Sequence, residues 1–385
     1  MNRRRKRRQR YMKPPTVAYI AICAFPVIIT VLFYILRSDP KTMSRAFSSI
    51  SAPVRGFMSL LTSVYPFSLM EIILCAAGIW LICYIIRTIV LIIRRQGKLR
   101  ILIRRSVTLA VTALYVWGLF CWLWNCGYYA PGFAETNGFS GGGVTVEDLT
   151  TTTRLFAEKA NELATLVKRD EEGHYAEDQR AFFKTSTLVY SNLALEFPGL
   201  DKRTYKPKPM MFSWLMSRTG YTGVYFAFTG EANVNTKTPA FFLPATMAHE
   251  LAHQLGVAAE DEANFVGILA SVTSEYTEFE YSGYLLGLSY LLNALFIADY
   301  DVWVDVNGSL CDEVKRDFKD NRDFWESQKT FNTGSEFFNN LFTNVTKTVS
   351  ETVDNVYDGY LKAQNQVLGI RSYGACVNLL VEYFN

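Results

Sequence analysis

Composition and charge divide the chain into two unlike parts. Of its 385 residues, 50% are hydrophobic and 19% are charged, and the formal net charge is only +3. Of the 39 basic and 36 acidic side chains, residues 1–125 hold 19 and two, which leaves 20 and 34, a net of −14, for residues 126–385. Because the basic side chains flank apolar runs, this pattern argues against a nucleic-acid-binding protein and favours a membrane protein with an acidic outer domain.

Three apolar segments in the first third of the chain are long enough to cross a bilayer. They cover approximately residues 16–36, 67–93 and 101–124, and a transmembrane helix needs about 20 residues. The first segment follows a basic tail, as a signal peptide would, but no convincing small-residue cleavage site follows it. We therefore predict a region of three transmembrane helices at residues 16–125.

The basic side chains predict the orientation of these helices. The tail at residues 1–15 carries seven Lys or Arg within its first ten residues, and the loop at residues 94–105 carries six. Since cytoplasmic loops are enriched in Lys and Arg, we expect the N-terminus in the cytoplasm and everything after the third helix outside. Residues 126–146 have the composition of a flexible linker. Residues 147–385 would then form an extracytoplasmic domain large enough for its own core.

One motif in the outer domain carries recognisable chemistry. His249, Glu250 and His253 form H-E-x-x-H, and on a helix this spacing puts both imidazoles on one face. Two neutral imidazoles one turn apart can bind one Zn²⁺, while the adjacent carboxylate acts as general base on water. The chain has three histidines, and two of them are in this motif. We expect a zinc metallopeptidase in which His249 and His253 bind the metal and Glu250 is catalytic.

A catalytic zinc ion needs a third protein ligand. Gly256 can end the helix, but the metzincin pattern would then require His or Asp where this chain has Ala259. Residues 260–264 read E-D-E-A-N, which resembles the E-x-x-A-[ND] helix of gluzincin-type membrane peptidases, whose first glutamate binds zinc. The resemblance implies that Glu260 is the third ligand. Glu262 stays open as an alternative, because the separation from the second histidine is shorter than in most gluzincins.

Short strands are predicted before the motif. They cover residues 209–212, 222–228 and 231–235, punctuated by glycines. A small sheet followed by the active-site helix is the order of elements in zincins, in which an edge strand binds the substrate as an added strand. We assign this role to residues 230–235 and expect Ala232 and Asn233 to contact the substrate.

The remaining pattern is helical. Helices are predicted at residues 147–167, 178–197, 311–328 and 335–361 and in a final segment that ends near residue 384. The apolar segment at 282–298 fits either a fourth span or a buried helix, and we favour the buried helix because Ser289 and Asn293 interrupt it. The predicted fold class is α+β and mostly helical. Three N-terminal transmembrane helices precede a zincin-like domain with a small β-sheet and an active-site helix.

Five further side chains were considered as site or framework residues. His174 has no ligand-spaced partner, so we expect it to be solvated. Cys311 and Cys376 are the two cysteines of the outer domain, and they could form a disulfide in an oxidising compartment. Arg371 or Tyr373 could stabilise an oxyanion, although packing and a helix start explain this segment more simply.

Five motifs occur together along the chain. They are G-x-Y-x-x-F-T-G-E-A-N-V-N from Gly223, L-P-x-T-x-x-H-E-x-A-H-Q-x-G from Leu243, E-D-E-A-N-F from Glu260, Y-L-K-A-Q-N-Q from Tyr360 and S-Y-G from Ser372. In combination they resemble a bacterial membrane family called domain of unknown function 3810. The family is similar to zinc-dependent peptidases, and the resemblance covers the spans and most of the outer domain. It implies a multi-pass protein of a bacterial cytoplasmic membrane.

Two hypotheses of function follow. The first is a membrane-anchored zinc metallopeptidase whose partners are a peptide or protein substrate and the lipid bilayer. The second is a non-catalytic, zincin-shaped envelope protein that binds a peptide or a membrane-protein partner. The complete motif favours the first hypothesis, because a binding protein has no need of Glu250. Nucleic acid is not an expected partner.

Overall fold

The computed structural model describes residues 17–95, 97–329, 351–352, 354–356, 358, 360 and 373–385. In this part of the chain the protein is mostly helical, with one small sheet of three strands. The basic tail at residues 1–15 and Arg371 lie outside the described residues, as does most of the helix predicted at 335–361.

The first five helices form the apolar part of the molecule. They are α1 (Val17–Leu36), α2 (Pro40–Ala46), α3 (Ala52–Thr62), α4 (Leu69–Arg94) and α5 (Lys98–Leu123). Helices α1, α4 and α5 lie where the three transmembrane helices are predicted, and α1 and α4 each pack against α5. Helices α2 and α3 occupy the connection between α1 and α4, where no helix was predicted.

The outer domain is built around four long helices. Its elements are α6 (Phe133–Asn137), α7 (Val146–Ala164), α8 (Gln179–Thr185), α9 (Leu193–Glu196), β1 (Lys208–Pro209), α10 (Ser213–Thr219), β2 (Gly223–Phe226), β3 (Glu231–Val234), α11 (Leu243–Leu255), α12 (Glu260–Val272), α13 (Thr277–Ala298), α14 (Tyr300–Gly308), α15 (Asp312–Gln328) and α16 (Tyr373–Phe384). Helices α7, α11, α12 and α13 pack together and supply most of the core. The helix predicted at 178–197 is instead two short helices, because hydroxyl side chains such as Ser186 bond locally to the backbone between them.

In the part of the chain that the structure describes, three helices are long and apolar enough to cross a membrane: α4, α5 and α13. Helix α1 contributes a shorter apolar stretch, Ile20–Leu36. The apolar part of α13 is 50% buried, compared with 11% for α4 and for α5. This burial agrees with the interpretation of residues 282–298 as a helix of the domain core, because a lipid-facing helix would leave more of its surface uncovered by protein.

The sheet has the strand order β1-β3-β2, with β1 parallel and β2 antiparallel to β3. The prediction that residues 230–235 form an edge strand is therefore wrong, since β3 is the central strand. Ala232 and Asn233 are fully buried, so they cannot contact a substrate added to the sheet. Strand β2 lies at the edge instead. Both strands have similar sequence patterns, and their order is decided by long-range pairing that the pattern does not contain.

The segment predicted as a flexible linker, residues 126–146, is packed at its start and mostly exposed after residue 134. A 3₁₀ turn at Asn125–Tyr129 is mostly buried, and α6 follows it. The Phe133 ring lies 5.2 Å from the ring of Phe197 and 6.2 Å from that of Phe265. The first part of this segment therefore packs against the core, whereas residues 135–138 and the glycines near residue 142 are mostly exposed, as expected of a connector.

Two carboxylates join the sheet region to the N-terminal end of α4. Glu231, on β3, accepts hydrogen bonds from the backbone N–H groups of Leu69 and Met70 at 3.1 and 3.0 Å. In return Glu71, on α4, accepts from the N–H groups of Met211 and Phe212, both at 2.8 Å. Carboxylates at a helix N-terminus satisfy its free N–H groups and interact favourably with its dipole. The apolar helices and the outer domain therefore form one structure around this joint.

Candidate metal centre

Helix α11 places the three residues of the H-E-x-x-H motif. It carries Pro244 in its first turn, and Gly256 ends it at φ 108°, a conformation that favours glycine. The rings of His249 and His253 lie 4.7 Å apart on one face of the helix, as their spacing predicts. Because α11 packs against the sheet, α12 and α13, most of the motif is removed from solvent.

Helix α12 brings a carboxylate to the two histidines. The Glu260 Oε2 atom lies 3.4 Å from Nε2 of His249 and 3.5 Å from Nε2 of His253. The close approach of the two helices depends on Gly267, because a Cβ added there would lie 2.8 Å from the backbone nitrogen of His249. Among the described residues, these three side chains form the one group of histidine, cysteine and acidic residues whose donor atoms are close enough to hold a metal ion.

Glu262, the alternative third ligand, points elsewhere. Its carboxylate accepts hydrogen bonds from the backbone N–H groups of Phe133 and Ala134 at 2.8 and 2.9 Å, at the start of α6. Two residues along a helix correspond to a rotation of about 200°, so Glu260 and Glu262 cannot both face α11. In this structure Glu260 lies at the histidines, and Glu262 fixes the buried segment that follows α5.

Residues from the apolar helices support His253. Its Nδ1 lies 2.7 Å from the carbonyl oxygen of Val257, which leaves Nε2 directed at Glu260. The ring of Trp124, at the end of α5, packs edge-on to the imidazole with centroids 5.7 Å apart. Arg55, on α3, donates to the His253 carbonyl at 3.3 Å. In the sequence Arg55 is one of four basic residues between α1 and α4, so nothing local marks it as a supporting residue.

The electrostatics of the cluster favour a cation. Burial would raise the pKa of Glu260, but the two imidazoles outweigh this effect and hold the pKa well below its usual range. Burial would lower the pKa of His253, yet Glu260 raises it to about 9. The pKa of His249 is lowered, chiefly because the ring is buried. An ionised carboxylate thus stands between two imidazoles in a partly buried site, and a bound cation would neutralise its charge.

Glu250 lies on the same helix but is not part of the group of side chains that could hold a metal. It is 3% exposed, and burial raises the pKa of its carboxyl to about 8. Within the described part of the chain its Oε2 atom has no hydrogen-bond partner. A Cβ added to Gly223 on β2 would stand 2.8 Å from Cγ of Glu250, so the edge strand passes directly beside this carboxyl group. A buried acid with an unpaired oxygen is suited to bind and transfer a proton.

A cavity of about 1450 Å³ opens onto the cluster. Strand β2 lines it along its whole length, and His249, Glu250, His253 and Glu260 lie in its wall. Aromatic side chains from several parts of the chain complete the wall; they are Phe120, Trp124, Tyr128, Tyr221, Phe242, Tyr290, Phe318, Trp325 and Tyr360. The cavity is much larger than a metal ion requires, and a single extended segment of polypeptide could enter it.

The other predicted residues lie away from this cavity or outside the description. His174 is half-exposed, as expected of a solvated residue, but its Nδ1 lies 2.6 Å from Asp320. Cys311 and Cys376 are both free thiols. Tyr373 begins α16, and its side chain is not among those described. Neither the histidine nor the cysteines therefore contribute to the metal cluster.

The fold and the site together define a mostly helical protein with helices that could span a membrane and a partly buried His-His-Glu cluster that could hold a metal. The chain belongs to the family described as Protein of unknown function (DUF3810), whose model matches residues 47–381. The match begins between α2 and α3 and includes the whole cluster. No curated protein and no solved structure matches the chain.

Proposed function

We propose that the protein is a membrane-anchored zinc metallopeptidase of zincin-like architecture, with His249, His253 and Glu260 as metal ligands. The observation that carries the proposal is the spacing of the three donor atoms. Tetrahedral zinc with ligands at about 2.0–2.2 Å separates neighbouring ligand atoms by about 3.3–3.5 Å. The two measured separations from Glu260 Oε2, 3.4 and 3.5 Å, fit this geometry. In a direct ion pair, with no metal between the groups, the imidazole nitrogen and the carboxylate oxygen would lie about 2.8 Å apart.

The residues around the cluster fit catalysis rather than a purely structural metal site. A structural zinc site usually has four protein ligands, whereas a catalytic site has three and stays open on one side. Here three ligands are present, and the cavity lies on the open side. When bound, zinc supplies Lewis acidity that polarises a carbonyl and activates water.

Glu250 is the proposed proton carrier. As general base it takes a proton from the attacking water, and as general acid it hands that proton to the leaving amine. Its place in the cavity wall and its unpaired Oε2 suit both steps. A binding protein without catalysis would gain nothing from burying this carboxyl group unpaired, because burial without a partner costs stability.

The edge strand supports a peptide as substrate. The sheet order leaves one side of β2 unpaired with any described strand, and all four of its residues line the cavity. A peptide in extended conformation can add to such an edge through main-chain hydrogen bonds, independently of most of its sequence. This assigns to β2 the role that the sequence analysis gave to Ala232 and Asn233.

The proposed topology follows from the charge distribution. Basic side chains at residues 1–15 and 94–105 would lie in the cytoplasm of a bacterial cell. The outer domain, with its metal cluster, would then lie outside the cytoplasmic membrane. The partners of the protein in this arrangement are the bilayer and a peptide or protein substrate.

The test uses the full chain in lipid nanodiscs, loaded with zinc and given a library of fluorogenic peptides. We expect Glu250→Gln to keep its zinc and to lose at least about a hundredfold in hydrolysis rate, the usual cost of removing a general base. The matched control is Glu158→Gln, which changes an exposed glutamate on α7. Equal activity of the Glu250→Gln and control variants would refute the proposed role and favour a binding function.

A further inference from the structure

We infer that the substrates of this site are membrane-anchored polypeptides, cleaved a few residues outside the bilayer. The inference deepens the proposed function and rests on it for the chemistry. Its geometric part stands separately: the cavity opens where the apolar helices leave the membrane.

Helix α3 has its polar side chains inward and its apolar side chains outward. Arg55, Ser59 and Thr62 are buried, and the two hydroxyl groups donate to the carbonyls of Gly230 and Thr229 at 2.7 and 3.1 Å. The outward apolar side chains, each at least 44% exposed, are Val54, Phe57, Leu60 and Leu61. On a surface exposed to water, a helix buries its apolar side chains and exposes its polar ones. Its surroundings are therefore apolar, as for a helix embedded at a membrane surface.

A second exposed apolar segment lies at the same level. Met211, Phe212, Trp214 and Leu215 are between 39% and 55% exposed. Glu71, at the outer end of α4, binds the backbone of this segment, so the segment cannot lie far from the apolar surface of α4. We call the exposed apolar side chains of α3 and of residues 211–215 the apolar collar. Because the collar continues the surface of a helix long enough to cross a membrane, the lipid bilayer is the partner that covers it.

Helix α5 reaches from the basic loop to the cavity. Fifteen residues separate Arg105 from Phe120, a rise of about 22 Å along a helix. The hydrocarbon core of a bilayer is about 30 Å thick. With Arg105 at one boundary, Phe120 lies within the hydrocarbon near the other boundary. Phe120 also lines the cavity, so one wall of the cavity is at lipid depth.

Strand β2 connects that wall with the catalytic residues. Its first residue, Gly223, lies beside Glu250. At its other end, the ring of its last residue, Phe226, lies 5.4 Å from the ring of Phe228, and Phe228 stacks on Phe120 at 5.9 Å. At about 3.3 Å per residue, the four residues of β2 cover about 13 Å. A peptide added to this edge would have one end at the lipid and its reacting bond three to six residues away, by the same rise per residue.

The membrane depth of the cavity is tested first, with the full chain in nanodiscs of phosphatidylethanolamine and phosphatidylglycerol. A photoreactive phenylalanine analogue, benzoylphenylalanine, replaces Phe57, Phe226 or Phe242 in turn, and lipid adducts are quantified by mass spectrometry. Phe226 and Phe242 are both half-buried residues of the cavity wall. Phe242 directly precedes the first residue of α11. The helix is about 20 Å long, so Phe242 lies far from the end of α11 that contacts α3, and it serves as the matched control.

We expect lipid adducts at positions 57 and 226, at least tenfold above those at 242. Adducts at 226 no more frequent than at 242, or none at 57, would overturn the inference whether or not the protein is a peptidase. A thermal unfolding transition at the wild-type temperature shows that each variant is folded.

The substrate class is tested next with one peptide library in two forms, acetylated or carrying a palmitoyl chain. We expect the palmitoylated form to be cut at least tenfold faster, with cuts about three to six residues from the anchor. Equal rates for the two forms would overturn the inference. If zinc-loaded protein cuts neither form, the proposed function and the substrate class both fail, whereas adducts at position 226 would still establish that the cavity opens in the bilayer.

Discussion

The guanidinium of Arg55 donates a hydrogen bond to the carbonyl oxygen of His253, 3.3 Å away and 198 positions later in the chain. Arg55 is 2% exposed and lies between the rings of Phe47 and Trp124. It also donates to the hydroxyl of Tyr225, on the edge strand, at 3.3 Å. A cation at the C-terminus of α11 complements the helix dipole. One side chain of α3 thus supports both the candidate metal cluster and the strand beside it.

Replacing Arg55 by alanine should destabilise the protein by about 2–4 kcal/mol, because it leaves buried acceptors without a donor and opens a cavity between two aromatic rings. Zinc affinity should fall as well, since the end of α11 loses its support. The control is Arg45→Ala, which changes an exposed arginine on α2. Thermal unfolding in nanodiscs and zinc titration measure the two effects. Indistinguishable behaviour of the two variants would show that Arg55 has no supporting role.

Gly223→Ala should reduce hydrolysis while leaving zinc bound. The added methyl group would stand 2.8 Å from Cγ of Glu250 and closer still to its Oε1, so the carboxyl group must move from its position. We expect a loss of at least tenfold in rate, equivalent to about 1.4 kcal/mol in activation free energy. Gly199→Ala is the control, because a Cβ there meets nothing within 4 Å. Loss of zinc from Gly223→Ala would mean that the substitution acts on the fold rather than on Glu250.

Gly267→Ala should separate α12 from α11. Its Cβ would lie 2.8 Å from N and 2.9 Å from Cα of His249, and neither backbone atom can rotate away as a flexible side chain could. Overpacking of this kind costs about 1–3 kcal/mol, despite the higher helix propensity of alanine. Gly308→Ala, on α14, has no neighbour within 4 Å of the new Cβ and should be neutral. Equal unfolding temperatures for the two variants would contradict the close helix approach described above.

The pair of His174 and Asp320 should add a pH-dependent contribution to stability. The hydrogen bond and the charge of Asp320 raise the pKa of His174 above its unfolded value of about 6.5. The pair therefore contributes its full stabilisation below the pKa of His174 in the unfolded chain. This stabilisation is lost as the pH rises through the higher pKa of His174 in the folded protein. We expect the difference in unfolding temperature between wild type and His174→Gln to shrink as the pH rises above about 6.5. Asp320→Asn should show the same dependence, and a difference constant with pH would exclude the ion pair.

The parts of the site that are local in sequence could be predicted. The spacing of His249 and His253 defines a helix face, and the short connection at residues 256–259 limits how far α12 can be from α11. Glu260 was predicted from the resemblance to the gluzincin helix, and the structure places it beside both histidines. The choice against Glu262 required knowledge of its partners, the backbone groups of Phe133 and Ala134. Those partners lie more than a hundred residues earlier.

The parts that depend on long-range pairing could not be predicted. The position of β3 between β1 and β2 follows from contacts with Lys208 and Pro209, and the strand's own residues do not encode that neighbour. Arg55 reads in the sequence as one of several basic residues between two apolar runs. Its role appears only when α3 packs on the end of α11, because the burial of a charged group is a property of the folded chain.

The measurement that tests the central claim most directly is the metal content of the full chain in nanodiscs, by elemental analysis, with Glu260→Ala and Glu262→Ala as a matched pair. We predict about one zinc per chain in the wild type, loss of that zinc in Glu260→Ala, and its retention in Glu262→Ala, because three protein ligands define a catalytic site. No metal in the folded wild-type protein, or loss of zinc from Glu262→Ala alone, would contradict the account.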